Sequence, residues 1–314
     1  MIDLRRPTFT RKLDLESLRD VEIGHLFYGG EIDEERAFSI ASVVSSDPVV
    51  AASQVLQLDE AHCRFQSYSR DVSLFESSEI EDFVSGLGGV VAIDLTSLEN
   101  RVWAPLIRAL VATSQPFIGL YAEPDDYNRS EDLPGMVYDL SLSRGIDPLP
   151  GFARISRRVN DEGHFVPLLG FEGARLSHIF DQEDVEVSNS FPIVGSPGFR
   201  VEYPSITYIA NRDILSLDRM DQRVELALAS CPFEAFHAIE RIHRRISGKH
   251  LRIAPIGTKP HALGAVLYAI RNPVTTEIVY DHPIRSSNRT TGTRGVYVFE
   301  ASSFLQALPN YDGA

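Results

Sequence analysis

Residues 251–270 read LRIAPIGTKPHALGAVLYAI, which is an apolar run, a Gly-Thr-Lys-Pro turn and then an amphipathic stretch that begins straight after the proline. The apolar run is strand-sized and proline is tolerated in the first turn of a helix, so the order is strand, turn, helix. Such a turn sets a hydroxyl and a lysine at the carboxyl end of a strand. There the leading N–H groups of the next helix lack intrahelical partners and favour an anion. A phosphate suits that place. Gly257 lets the backbone approach a ligand, Thr258 either caps the helix or donates to a phosphate oxygen, and Lys259 supplies charge. The same residues also have a purely local reading as loop, N-cap and solvated lysine. The turn is not a Walker A loop, which needs an earlier glycine, and no GxGxxG fingerprint of a dinucleotide-dependent dehydrogenase occurs.

Working outward, the strand-loop-helix pattern recurs. HLFY (25–28) leads into GGEIDEERAFSIASVV, VVAID (90–94) into LTSLENRVWAPLIRAL, and FVPLL (165–169) into GFEGARLSHIF. Alternation of this kind argues for parallel strands joined by right-handed crossovers. The second and fourth units match further, because each helix is followed by a strand with a terminal tyrosine and a nearby proline, in PFIGLYAEPDDY (116–127) and TEIVYDHPIRS (276–286). The expectation is an α/β chain of two similar Rossmann-like halves with mainly parallel sheets in a pseudo-two-fold arrangement. The turn-rich GIDPLPG (145–151) divides residues 1–150 from 151–314.

Other segments complete the plan. ILSLDRMDQRVELALA (214–229) and PFEAFHAIERIHRRI (232–246) carry helical spacing, and 191–208, rich in Pro, Gly and aromatics, reads as a long ordered loop with short extended pieces. VYVFE (296–300) reads as a returning edge strand.

In a doubly wound sheet, ligands lie outside the carboxyl ends of the strands, so the loops that follow the strands form the candidate site. Gly170, Glu172 and Gly173 of GFEG combine close backbone approach with a carboxylate that can accept from a ribose hydroxyl or an amine. Arg175 either reaches a phosphate or pairs with Glu172. Asp94, Thr96 and Ser97 of DLTS offer a similar set, although an aspartate that ends a strand before a helix also serves as an N-cap. The tail RSSNRTTGTRG (285–295), with three arginines and no acid, either folds over phosphates or is a surface loop.

The net charge of −14 and pI near 5.1 disfavour a dedicated binder of long nucleic acid, while a short nucleotide needs only a local positive nest. Arg241, Arg244, Arg245, Lys249 and Arg252 cluster upstream of the GTKP turn, either as a solvated helix end or as part of the site. The two cysteines, Cys63 and Cys231, stand far apart and suit a reducing cytoplasm. No apolar run approaches a membrane span, and residues 1–20 lack a signal-peptide core. No metal spacing or GxSxG elbow is present, no cofactor is implied, and the acidic start Glu31, Asp33, Glu34, Glu35 matches the helix dipole. Trp103 reads as core.

The GTKP turn between a strand and an apolar helix resembles the GGTK-type turn of CARF domains, Rossmann-like sensors of cyclic oligonucleotides in prokaryotic antiviral defence. A two-halved chain resembles the SAVED arrangement of two such modules in one polypeptide. The resemblance implies a nucleotide second messenger near Gly257, Thr258 and Lys259, with the loop of Asp94, Thr96 and Ser97 placed symmetrically. The family's sensors usually adjoin an effector, and these 314 residues leave no room for one. A subunit that acts with other proteins or as a homo-oligomer is therefore expected. The alternatives are an enzyme acting on a nucleotide, with Asp94, Glu172 or His261 as acid or base, and a scaffold for protein partners.

Overall fold

A computed structural model of the chain describes residues 8–30, 35–127, 141–142, 146–153, 163–182, 185–285 and 290–309. The acidic start at 31–34 and the 286–289 part of the polar tail lie outside the described residues. The chain is α/β with mixed sheets, the two main ones parallel through their centres.

It divides into two compact units, Met1–Asp126 with Thr290–Ala314, and Tyr127–Arg289. The division expected at 150 thus falls earlier, and the end of the chain joins the first unit. The cause is the VYVFE run. Its strand Gly295–Phe299 pairs antiparallel with Phe117–Glu123 on one side and with Thr10–Leu13 on the other, so it is internal and Thr10–Leu13 takes the rim expected for it.

Four strands lie parallel in the middle of the first unit's sheet, in the order Phe117–Glu123, Val91–Asp94, His25–Gly29, Ala51–Gln57. Counted along the chain this is 4-3-1-2, the flavodoxin-like doubly wound order. His62–Phe65 and Arg70–Ser73 extend it as an antiparallel meander. Val91–Asp94 and Phe117–Glu123 are buried at every residue, as strands covered on both faces must be, which explains their unbroken apolar runs. Trp103 is fully buried in helix Asn100–Ala112 and its indole N–H donates to Asn100 Oδ1 at 3.2 Å, so the tryptophan is core.

Five parallel strands make up the second unit's six-stranded sheet with antiparallel Asp147–Pro148 at its rim beside the first of them, in the order Thr276–Tyr280, Leu251–Pro255, His164–Leu169, Ile193–Gly195, Glu225–Ala227. Along the chain this is 5-4-1-2-3, which read from the other edge is the opening of the Rossmann order. The likeness expected between the halves reaches the strand-loop-helix units but not the strand order. Helices Pro232–Arg245 and Lys259–Arg271 pack so closely that a side chain on Gly264 would strike the Pro232 carbonyl.

Two expectations are corrected here. Residues 214–229 do not form one helix: a short helix Arg212–Leu215 and a 3-10 turn Leu217–Arg223 lead into strand Glu225–Ala227, because that piece completes the sheet edge beside Ile193–Gly195. Residues 191–208 contain the expected extended piece at Ile193–Gly195, but Tyr203–Ala210 is helical and buries Tyr203, Ile206 and Thr207. Among the described residues no helix is long and apolar enough to cross a membrane.

Candidate functional site

Strand order reverses in the second unit between His164–Leu169 and Leu251–Pro255, because the crossovers from these neighbours run outward to opposite edges. The loops that leave their carboxyl ends are GFEG and GTKP. A Cβ built on Gly170 would lie 2.9 Å from Ile256 O, and one on Gly257 would lie 2.5 Å from Leu169 O and 2.9 Å from Leu168 O. The two turns therefore touch backbone to backbone, a spacing that only glycine allows. Gly173 has a different task, since a side chain there would collide with the Ala210 carbonyl.

Thr258 is the N-cap of helix Lys259–Arg271: its Oγ1 accepts the His261 N–H at 3.3 Å and donates to Ala229 O at 3.0 Å. Pro260 has no N–H to offer. What the turn can present to a ligand thus comes from the amides of Gly257, Thr258 and Lys259 and from the half-buried lysine side chain.

Glu172 and Arg175 sit opposite, at the start of helix Gly173–Gln182, their charged groups 3.5 Å apart. The stronger partner of Arg175 is Asp281, which sequence reading missed. Arg175 Nε donates to Asp281 Oδ2 at 2.7 Å and Nη2 to Oδ1 at 2.6 Å, while Nη1 donates to Ile256 O at 3.1 Å. Its guanidinium also lies 5.9 Å from the centre of the Tyr280 ring. Burial by itself disfavours charge on Arg175, and the Asp281 carboxylate overrides this and holds it protonated. Asp281 follows the apolar strand Thr276–Tyr280, and an acid closing such a strand was the signal available for it. Asn211, also missed, donates from Nδ2 to Gly170 O at 2.9 Å and steadies the GFEG turn from behind.

Asp94, Thr96 and Ser97 belong to the first unit, at its own point of strand reversal, and their side chains are turned inward. Asp94 Oδ1 accepts the Thr96 N–H at 2.9 Å and Oδ2 accepts the Ser97 hydroxyl at 2.6 Å. Thr96 Oγ1 accepts the Ala122 N–H at 2.8 Å and Ser97 Oγ accepts the Gly29 N–H at 2.9 Å. Burial pushes the Asp94 carboxyl up, and these bonds work against that push. The DLTS loop ties three strand ends together.

Of the arginine cluster, Arg241 and Arg245 pair with Glu225 and Arg244 with Glu240 on an exposed helix end, the solvated arrangement. Arg252 differs: it is buried on the sheet, its Nε 3.1 Å from Glu277 Oε1.

The catalytic candidates fare unequally. Glu172 is half-buried in the GFEG turn, whereas Asp94 and His261 are wholly buried. The His261 Nε2–H donates to Leu228 O at 3.1 Å, and burial pushes the ring down to about 4 from its ordinary 6.5. The unfolded chain takes up this proton below about 6.5 while the folded chain refuses it until about 4. His261 therefore favours the fold above that window and loses hold as pH falls through it. His243, also lowered by burial, acts in the same direction. The melting temperature is expected to drop between these two values, and His261→Gln, which keeps an N–H for Leu228 O, is expected to flatten the drop. Thermal melts at stepped pH check this, and identical slopes would exclude it.

Among the described residues no three His, Cys, Asp or Glu side chains gather as a metal site. The arrangement is a pair of touching glycine turns, one leading into helix amides and a lysine, the other into a carboxylate-bound arginine. No family model, curated protein or solved structure matches the chain.

Proposed function

We propose that the second unit binds a phosphorylated small molecule, a nucleotide in the first instance, in a crevice outside the carboxyl ends of its strands, over the GFEG and GTKP turns. One observation carries this reading: the two turns meet at the point of strand reversal, where open α/β sheets hold their ligands. The phosphate lies against the amides of Gly257, Thr258 and Lys259, with the Lys259 ammonium as counter-charge. Gly170 keeps the GFEG turn close to the GTKP turn, and Glu172 accepts from a ligand hydroxyl or amine.

The resemblance of GTKP to the CARF turn supports a nucleotide messenger and a role as sensor or subunit in a defence complex, with other proteins or further copies of the chain as partners. The two-module form of that resemblance finds its support in the strand-loop-helix units common to both halves.

Calorimetry with ATP, GTP, cyclic oligonucleotides and inorganic phosphate tests the reading. Lys259→Ala is expected to weaken the best ligand about tenfold, the scale of one charge-assisted contact. No binding by the wild type, or equal binding by the variant, would overturn it.

A further inference from the structure

We infer that Arg175 is a positioning residue for the crevice: through Ile256 O it aims the Gly257 amide, and Asp281 commits it to that task. The consequence for affinity rests on the proposed ligand site, whereas the clamp itself does not. Both oxygens of the Asp281 carboxylate are engaged by the guanidinium fork, at 2.6 and 2.7 Å, in the planar bidentate geometry that only arginine provides. The remaining nitrogen reaches Ile256 O at 3.1 Å. One side chain thereby joins the start of helix Gly173–Gln182 to the ends of two neighbouring strands, Leu251–Pro255 and Thr276–Tyr280.

The Ile256 carbonyl and the Gly257 N–H share one peptide plane. In a trans peptide they point in opposite directions, and cis bonds among the described residues are confined to Ser196-Pro197. A hydrogen bond that fixes the carbonyl therefore fixes the amide. Without it the peptide can rotate, and Gly257 offers little steric resistance of its own.

The alternative role, Arg175 as phosphate ligand, meets an electrostatic obstacle. Asp281 is 0% exposed and Arg175 12%, so a phosphate that drew the guanidinium away would strip a buried carboxylate of its two short charge-assisted bonds. Glu172, 3.5 Å from Arg175, adds a second negative charge beside the same cation. The pair of acids withholds the arginine from anions and leaves their recognition to the opposite wall.

Amide hydrogen exchange by NMR, with no ligand present, tests the clamp on the full chain. Arg175→Gln and Asp281→Asn are each expected to speed exchange at His261 and Ala262, whose N–H groups bond to Thr258 of the turn, about tenfold, as a buried pair loses one partner, with Ile193–Gly195 unchanged. The double variant is expected to add nothing further. Arg175→Lys, which keeps charge but not the fork, is expected to behave like Arg175→Gln, and it carries the test with Asp281→Asn if Arg175→Gln does not fold. Wild-type exchange in Arg175→Lys, additive effects, or acceleration spread evenly over the sheet would overturn the inference.

Calorimetry with ATP and inorganic phosphate forms the second arm. Weaker ATP binding by Asp281→Asn supports the positioning role, and tighter binding would overturn it by revealing Arg175 as a ligand. If the wild type binds neither probe, the functional reading fails while the exchange arm still decides the clamp.

Discussion

Asp281→Ala is expected to destabilise the second unit by about 3 kcal/mol, the lower part of the range for breaking a buried ion pair by removing one partner. The lower part applies because Arg175 is not left wholly unpaired. Glu172 remains 3.5 Å away and Ile256 O still accepts from Nη1, but neither replaces the two short bonds of the lost carboxylate. The substitution also opens a space where the fully buried Asp281 stood. The chain holds one tryptophan, Trp103, and it lies in the first unit. Indole fluorescence thus follows the first unit alone, while far-UV circular dichroism follows both. In urea the variant is expected to show an early circular dichroism transition with the fluorescence midpoint unchanged. Superimposable wild-type and variant curves would refute the role given to the pair.

The fold was legible where the chain is buried on both sides. Val91–Asp94, His164–Leu169 and Leu251–Pro255 are buried at every residue, and full burial writes itself as an apolar run that needs no partner to be recognised. Helix Pro232–Arg245 was equally plain, with a leading proline and basic residues in its last turn. Strand Glu225–Ala227 was not, for three residues are too few to carry a period of two, and the flanking Val224 and Leu228 fall at helical spacing. Pairing order is a non-local property. Nothing near VYVFE indicates that it inserts beside Phe117–Glu123, so both its place in the sheet and the unit boundary were misjudged.

The candidate site shows the same division. Gly170 and Gly257 could be found because a strand-turn-helix motif is local, and their contact follows from strands that pair side by side. The role of Arg175 could not, since its carboxylate partner is 106 residues away along the chain. The DLTS loop is ambiguous for a related reason. Asp, Thr and Ser suit a ligand and suit the tying of strand ends equally well, and only burial separates the two uses.

Gly257→Ala is expected to cost about 2 kcal/mol of stability and to abolish the nucleotide binding proposed for the second unit. The added methyl would meet Leu169 O at 2.5 Å and Leu168 O at 2.9 Å, both main-chain atoms of the neighbouring strand that cannot rotate aside. Relief requires the GTKP turn to move away from the GFEG turn, and overpacking of this kind costs roughly 1–3 kcal/mol. The same movement withdraws the Ile256 carbonyl from Arg175 and misdirects the amide beside it. Gly163→Ala is the matching control, because its methyl would find only the flexible Arg252 side chain at 3.8 Å. Urea denaturation and calorimetry on both variants check the pair. If Gly257→Ala were as harmless as Gly163→Ala, the two turns would not be in contact, and the proposed ligand site would lose the geometry on which it rests.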